Sequence, residues 1–212
     1  MMTTTTDQPD PTAATHRAGR SAGSTRSYGA RRRAWVAGAA AGVVVIGGIA
    51  WGVHRYERLG AAPYQDPAAV GRLTFCQGGK PVTGGSTTQL PDAVVGGQAA
   101  SGALAVAGGT ATLFACQPRS GIDPVSWSGL QLTGATVYAE PASPTVLPEQ
   151  NATTLAQFLT GFPALDDGWI QLRVVLGAPG VRTQTTTYAA ADLHVHGTTW
   201  QAADPGTATC PS

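Results

Sequence analysis

From Ala34 to Val53 the chain reads AWVAGAAAGVVVIGGIAWGV without a single charged side chain. At about 1.5 Å of rise per residue a helix of that length covers roughly 30 Å, the thickness of a bilayer's hydrocarbon. Helices in soluble cores are seldom apolar on every face for so long. Trp35 and Trp51 stand near its ends with Tyr56 just beyond, where rings with an apolar body and a polar tip settle among headgroups. The run predicts one transmembrane helix over 34-53, with the lipid bilayer as its partner. Arg31, Arg32 and Arg33 abut its N-terminal end, whereas Arg55 and Arg58 flank Glu57 at the other. The positive-inside rule then places residues 1-33 in the cytoplasm and everything after 54 outside the membrane.

A cleaved signal peptide is the rival reading, because the run is Gly-rich and follows arginines. Against it, the apolar stretch exceeds the usual signal core, and His54-Arg55-Tyr56-Glu57-Arg58 follows where small residues would mark a cleavage site. A signal-anchor is the expectation. Bulky Phe75 before Cys76 argues against a lipid-anchored cysteine. Gly38 and Gly42, and Gly48 and Gly52, have the spacing that lets helix backbones approach, so a homodimer through the helix is left open.

Charge divides at the same place. Residues before 60 hold eight arginines against Asp7, Asp10 and Glu57; the rest holds five basic side chains against nine acidic ones. An acidic exported domain is a poor partner for nucleic acid, whose binding rests on neutralising phosphates. Lys80 is the chain's one lysine, a usage typical of GC-rich bacterial coding. Residues 1-33, rich in Thr, Ser, Gly, Arg and Ala, offer too little apolar surface to offset ordering and read as a disordered basic tail. Residues 54-70, with Pro63 and Pro67, read as a juxtamembrane spacer.

Residues 71-212 carry the signature of an all-β domain, an Ig-like sandwich or small barrel with one short helix: brief alternating runs between Gly, Pro and Asp breaks. In Trp169 to Leu176, Ile170, Leu172, Val174 and Leu176 share one face while Gln171 and Arg173 share the other. Ala191, Leu193 and Val195 alternate with Asp192, His194 and His196, and Gly197-Thr198 turns the chain into a hairpin over 189-203. Further strands are expected at Arg72 to Cys76, Ala103 to Val106, Thr110 to Cys116 and Gly129 to Ala139, the last interrupted at Gly134. A helix is expected over Ala152 to Thr160, capped by Asn151 and stopped by Gly161 and Pro163.

Three cysteines on the exported side imply one disulfide and one thiol left over. Cys76 with Cys116 is the preferred pairing, each ending a predicted strand, with Cys210 as the alternative partner. For chemistry, Asp192, His194 and His196 are the candidates: a period of two sets a carboxylate and two imidazoles on one strand face, where they could hold zinc or copper. The solvated face of a half-buried strand has the same pattern. Asp166-Asp167-Gly168 reads as a turn, and Gly78-Gly79-Lys80 lacks the Ser or Thr of a phosphate loop, Pro81 standing there instead. No cofactor and no catalytic residue is indicated. The expectation is therefore a single-pass surface protein of a bacterial membrane, non-enzymatic, whose outer domain binds an envelope protein or wall component. The alternative is an exported metal-dependent enzyme, or a copper or redox accessory protein, working through His194 and His196.

Overall fold

The computed structural model describes residues 59-212, and the expected tail and membrane span lie outside the described residues. The domain is all-β with one short helix. Eleven strands run in chain order: β1 (Ala69–Gln77), β2 (Lys80–Val82), β3 (Gly84–Ser86), β4 (Ala93–Gly96), β5 (Thr110–Gln117), β6 (Ser128–Gln131), β7 (Thr136–Val137), β8 (Thr145–Val146), β9 (Trp169–Ala178), β10 (Val181–His196) and β11 (Thr199–Ala202). The helix α1 (Leu155–Gly161) sits between β8 and β9. Among the described residues, no helix is long and apolar enough to cross a membrane.

Neighbouring strands follow the order β6-β5-β9-β10-β1-β4-β8, with β11 joining β10 to β3, β2 on β1 and β7 on β5. Every pairing is antiparallel except that of β1 with β10, where Ala69 faces Tyr188 and Arg72 faces Ala190. β1 starts beside β10 and then pairs with β4 from Leu73 to Cys76. It stitches two hydrogen-bonded groups of strands over one core.

That core is the inward half of each alternation. Leu73 and Phe75 of β1, Leu113 of β5, Ile170 and Leu172 of β9 and Leu193 of β10 are all fully or nearly fully buried. Leu155 and Phe158 of α1 close it. The alternation in β9 and the hairpin of β10 with β11 stand as the sequence predicts, and Gly197 takes a positive φ of 57° at the turn.

Elsewhere local chemistry overrides the pattern. Ala103 to Val106 is no strand: Gly102 adopts a φ of 55° and opens a single 3-10 turn that buries Leu104. The run from Gly129 splits into β6 and β7, both on β5, and between them Gly134 N donates to Glu149 Oε1. The helix starts later than expected, because Thr154 and Gln157 form a reciprocal capping box that Asn151 cannot match.

The disulfide is Cys76–Cys210, with Cα atoms 5.7 Å apart, and Cys116 is free and buried. This corrects the preferred pairing of Cys76 with Cys116. β9 and β10 lie between β5 and β1, and three strand spacings of about 4.8 Å exceed the reach of a disulfide. Cys210 arrives instead on the C-terminal segment, which lies over the outer face of β1 through Gly206 N to Leu73 O and Ala208 N to Thr74 Oγ1. Cys76, Ala93 and Val95 are buried beneath it.

Candidate functional site

Gln171 and Arg173 occupy the face of β9 turned away from the core, yet Gln171 is 1% exposed and Arg173 8%. Two segments cover them. One is the stretch around Tyr64 and Asp66, expected as spacer; the other is the loop after β5, which carries a 3-10 turn at Pro124–Ser126 and then Trp127. The expected spacer is thus, from Tyr64 onward, part of the domain.

A buried guanidinium must have its donors satisfied and its charge balanced. Arg173 Nε donates to Gln171 Oε1 at 2.6 Å, both Nη atoms reach Pro124 O at 3.3 Å, and Nη2 meets Asp66 Oδ2 at 3.2 Å. Its Cζ lies over the ring of Tyr188, 4.5 Å from the centroid, and over that of Trp127, 5.1 Å from the centroid, positions that favour a cation. Asp66 Oδ2 also accepts from Tyr188 Oη at 2.8 Å, while Oδ1 accepts from Ala68 N. The network runs on through Gln171 Nε2 to Asp192 Oδ1 at 3.0 Å, where Tyr64 Oη donates at 2.9 Å. Tyr64 stands edge-on to Trp127.

Burial sets the protonation of these groups. It is the largest cause raising Tyr64, Tyr188 and Cys116 above their ordinary values, with Asp192 adding to the effect on Tyr64 and the hydrogen bond to Asp66 adding to that on Tyr188. Burial also raises the Asp192 carboxyl, opposed by the hydrogen bonds from Gln171 and Tyr64. At neutral pH both phenols and the thiol keep their protons.

Beside this network opens a cleft of about 570 Å³. Its floor is Phe114 and Cys116 from β5, Arg173 and Val175 from β9 and Tyr188 from β10; its walls are Asp66 to Ala68 on one side and Asp123 to Val125 on the other. Between the pairs Gln184↔Leu176 and Ala189↔Val174 the register of β10 slips against β9. The surplus residues form a bulge, and Thr185 and Thr186 line the cleft from it. Arg173 bonds to both walls at once, through Asp66 and Pro124 O, and so sets the width of the opening.

The metal candidates are dispersed. Asp192 is held by Tyr64 and Gln171; His194 packs edge-on against Trp169 with Nε2 2.8 Å from Asp167 O; His196 is exposed next to the turn. Among the described residues, no group of three His, Cys, Asp or Glu side chains is placed to hold a metal ion. The thiol left over from the disulfide is Cys116, buried and held in its protonated form. Asp166 and Asp167 do form a turn, both with positive φ, pinned by Ser120 to Asp166 Oδ2.

Comparison with protein-family models, with curated proteins and with solved structures finds no match in any of the three. The chemistry of the cleft alone carries the functional argument.

Proposed function

We propose that this chain is a membrane-anchored, non-enzymatic binding module whose exported domain, read as a small sandwich closed over one core, holds its ligand in the cleft between β5, β9 and β10. The observation that carries the reading is the cleft itself. It has the size of small-molecule sites, its floor is largely carbon, and Arg173, Asp66 and Tyr188 immobilise one another's polar groups. Catalysis needs a group poised to give or take a proton or to attack. Here the Cys116 thiol and the Tyr188 hydroxyl are both raised by burial, and the hydroxyl already donates to Asp66. That arrangement favours recognition over reaction.

Native mass spectrometry of the full chain purified from its membrane tests this. The wild type is expected to carry a non-covalent adduct that is lost in Val175→Trp, which fills the cleft from its floor, and kept when His194 and His196 are both replaced by Ala. A wild type without an adduct overturns the reading, and loss of bound zinc or copper only in the histidine variant would favour the metal-dependent alternative.

A further inference from the structure

We propose that the cleft selects an uncharged ligand, with an apolar body lying on Phe114 and Val175 and a hydroxyl or carbonyl end meeting the threonines of the β10 bulge; this rests on the binding-module reading above. The argument begins with the charges. Arg173 invites the idea of an anion site, but Gln171, Asp66 and Pro124 O engage its Nε, both Nη2 hydrogens and one Nη1 hydrogen, which leaves a single Nη1 N–H. The carboxylate of Asp66 balances it and in turn accepts from Tyr188 and Ala68 N. Asp123, at the rim, accepts from Val125 N and adds a second negative charge to the lining.

An anionic headgroup would therefore sit near two carboxylates facing one compensated guanidinium. A cation would lie against Arg173 itself. An anion would have to give up its hydration without gaining a free counter-charge, and a cation would gain only Asp123 at the exposed rim while meeting Arg173 at the floor, a cost that rises steeply in a partly closed, carbon-lined space. Neutral polar groups escape that cost. Thr183, Thr185 and Thr186 bring hydroxyls to the cleft, and a hydroxyl both donates and accepts. Phe114, Val175 and the ring of Pro124 supply apolar contact for the remainder.

The test uses photoreactive diazirine probes on the full chain in lipid nanodiscs, with labelled residues mapped by mass spectrometry. Two probes are uncharged, a water-soluble medium-chain alcohol and a bilayer-borne monoacylglycerol; two are charged, the matching carboxylate and the matching alkylammonium. Labelling of Phe114, Val125 or Val175 by either uncharged probe, at least about tenfold above both charged ones, supports the proposal, and which neutral probe labels shows whether water or bilayer supplies the ligand. Labelling that is equal or stronger with a charged probe overturns the selectivity while leaving the binding module intact. If no probe reaches the cleft, or if Val175→Trp is labelled as strongly as wild type, the proposal falls together with the site on which it rests.

Discussion

At the scale of single residues, Arg173 is the side chain on which most depends. Its side chain is 10% exposed and that of Asp66 only 2%, so the pair belongs with buried rather than surface ion pairs. Breaking such a pair from one side leaves an uncompensated charge and costs about 3–5 kcal/mol. Arg173→Met should lower the urea unfolding free energy by that order, and adding Asp66→Asn should restore part of it; single and double variants of equal stability would contradict the network. Asp192 gives a prediction of the opposite sign to a surface carboxylate. Burial raises its folded pKa, so the native state holds the proton more tightly than the unfolded chain. Its contribution is complete below the ordinary carboxylate value, about pH 4, and is lost as pH rises through the folded pKa. Relative to Asp192→Asn, the wild type should lose stability as pH climbs from about 4 toward neutrality, and a gap constant with pH would refute this. Little of this was legible in sequence. An arginine alternating with Ile170, Leu172 and Val174 looks like the wet side of a strand, and its partner Asp66 lies 107 positions away. The one available hint was that Gln171, Arg173, Tyr188 and Asp192 fall on a common outer face once β9 and β10 are paired.

Among the elements, the strands with strict alternation were readable because half-burial repeats every two residues. Those with Gly at both ends were not, since a glycine at positive φ, as at Gly102, can turn a strand-like run into a bend. The helix was legible but its start was not: Asn151 is a good cap by type, yet only Thr154 has Gln157 three residues on. Thr154→Ala should cost about 1 kcal/mol in thermal or urea unfolding, with Asn151→Ala nearly neutral. Cystine pairing is a problem of strand order, which composition does not reveal. On non-reducing gels Cys210→Ser or Cys76→Ser should abolish the shift produced by reductant, and Cys116→Ser should keep it. Losing the cross-link should lower stability by about 2–4 kcal/mol; a shift that vanishes with Cys116→Ser would restore the rival pairing.

For the whole molecule, the covering of the sheets matters as much as their core. The stretch around Tyr64 and Asp66 shields the outer face of β9 and β10, and the C-terminal stretch from Gly206 to Cys210 shields that of β1 and β4. A protein cut to begin at residue 69 retains every strand but should unfold at lower urea than one beginning at residue 59, by an amount close to that of Arg173→Met. Equal midpoints would return residues 59-68 to the status of a spacer.

The parallel pairing of β1 with β10 bears on how the protein comes into being. Ala69 must find Tyr188, and Cys76 must find Cys210, so although β2 and β4 follow β1 closely, its first half leaves the ribosome more than a hundred residues ahead of β10. Contacts of such long range fold slowly, and in the interval the Ala69 to Arg72 half of β1, which pairs with β10 alone, stands as an unpaired edge, a template for aggregation. A chain built this way has to be kept from sticking until its last strands have been delivered. Moving the termini by circular permutation, so that β10 precedes β1, would shorten that vulnerable interval while keeping the same strands and the same core residues.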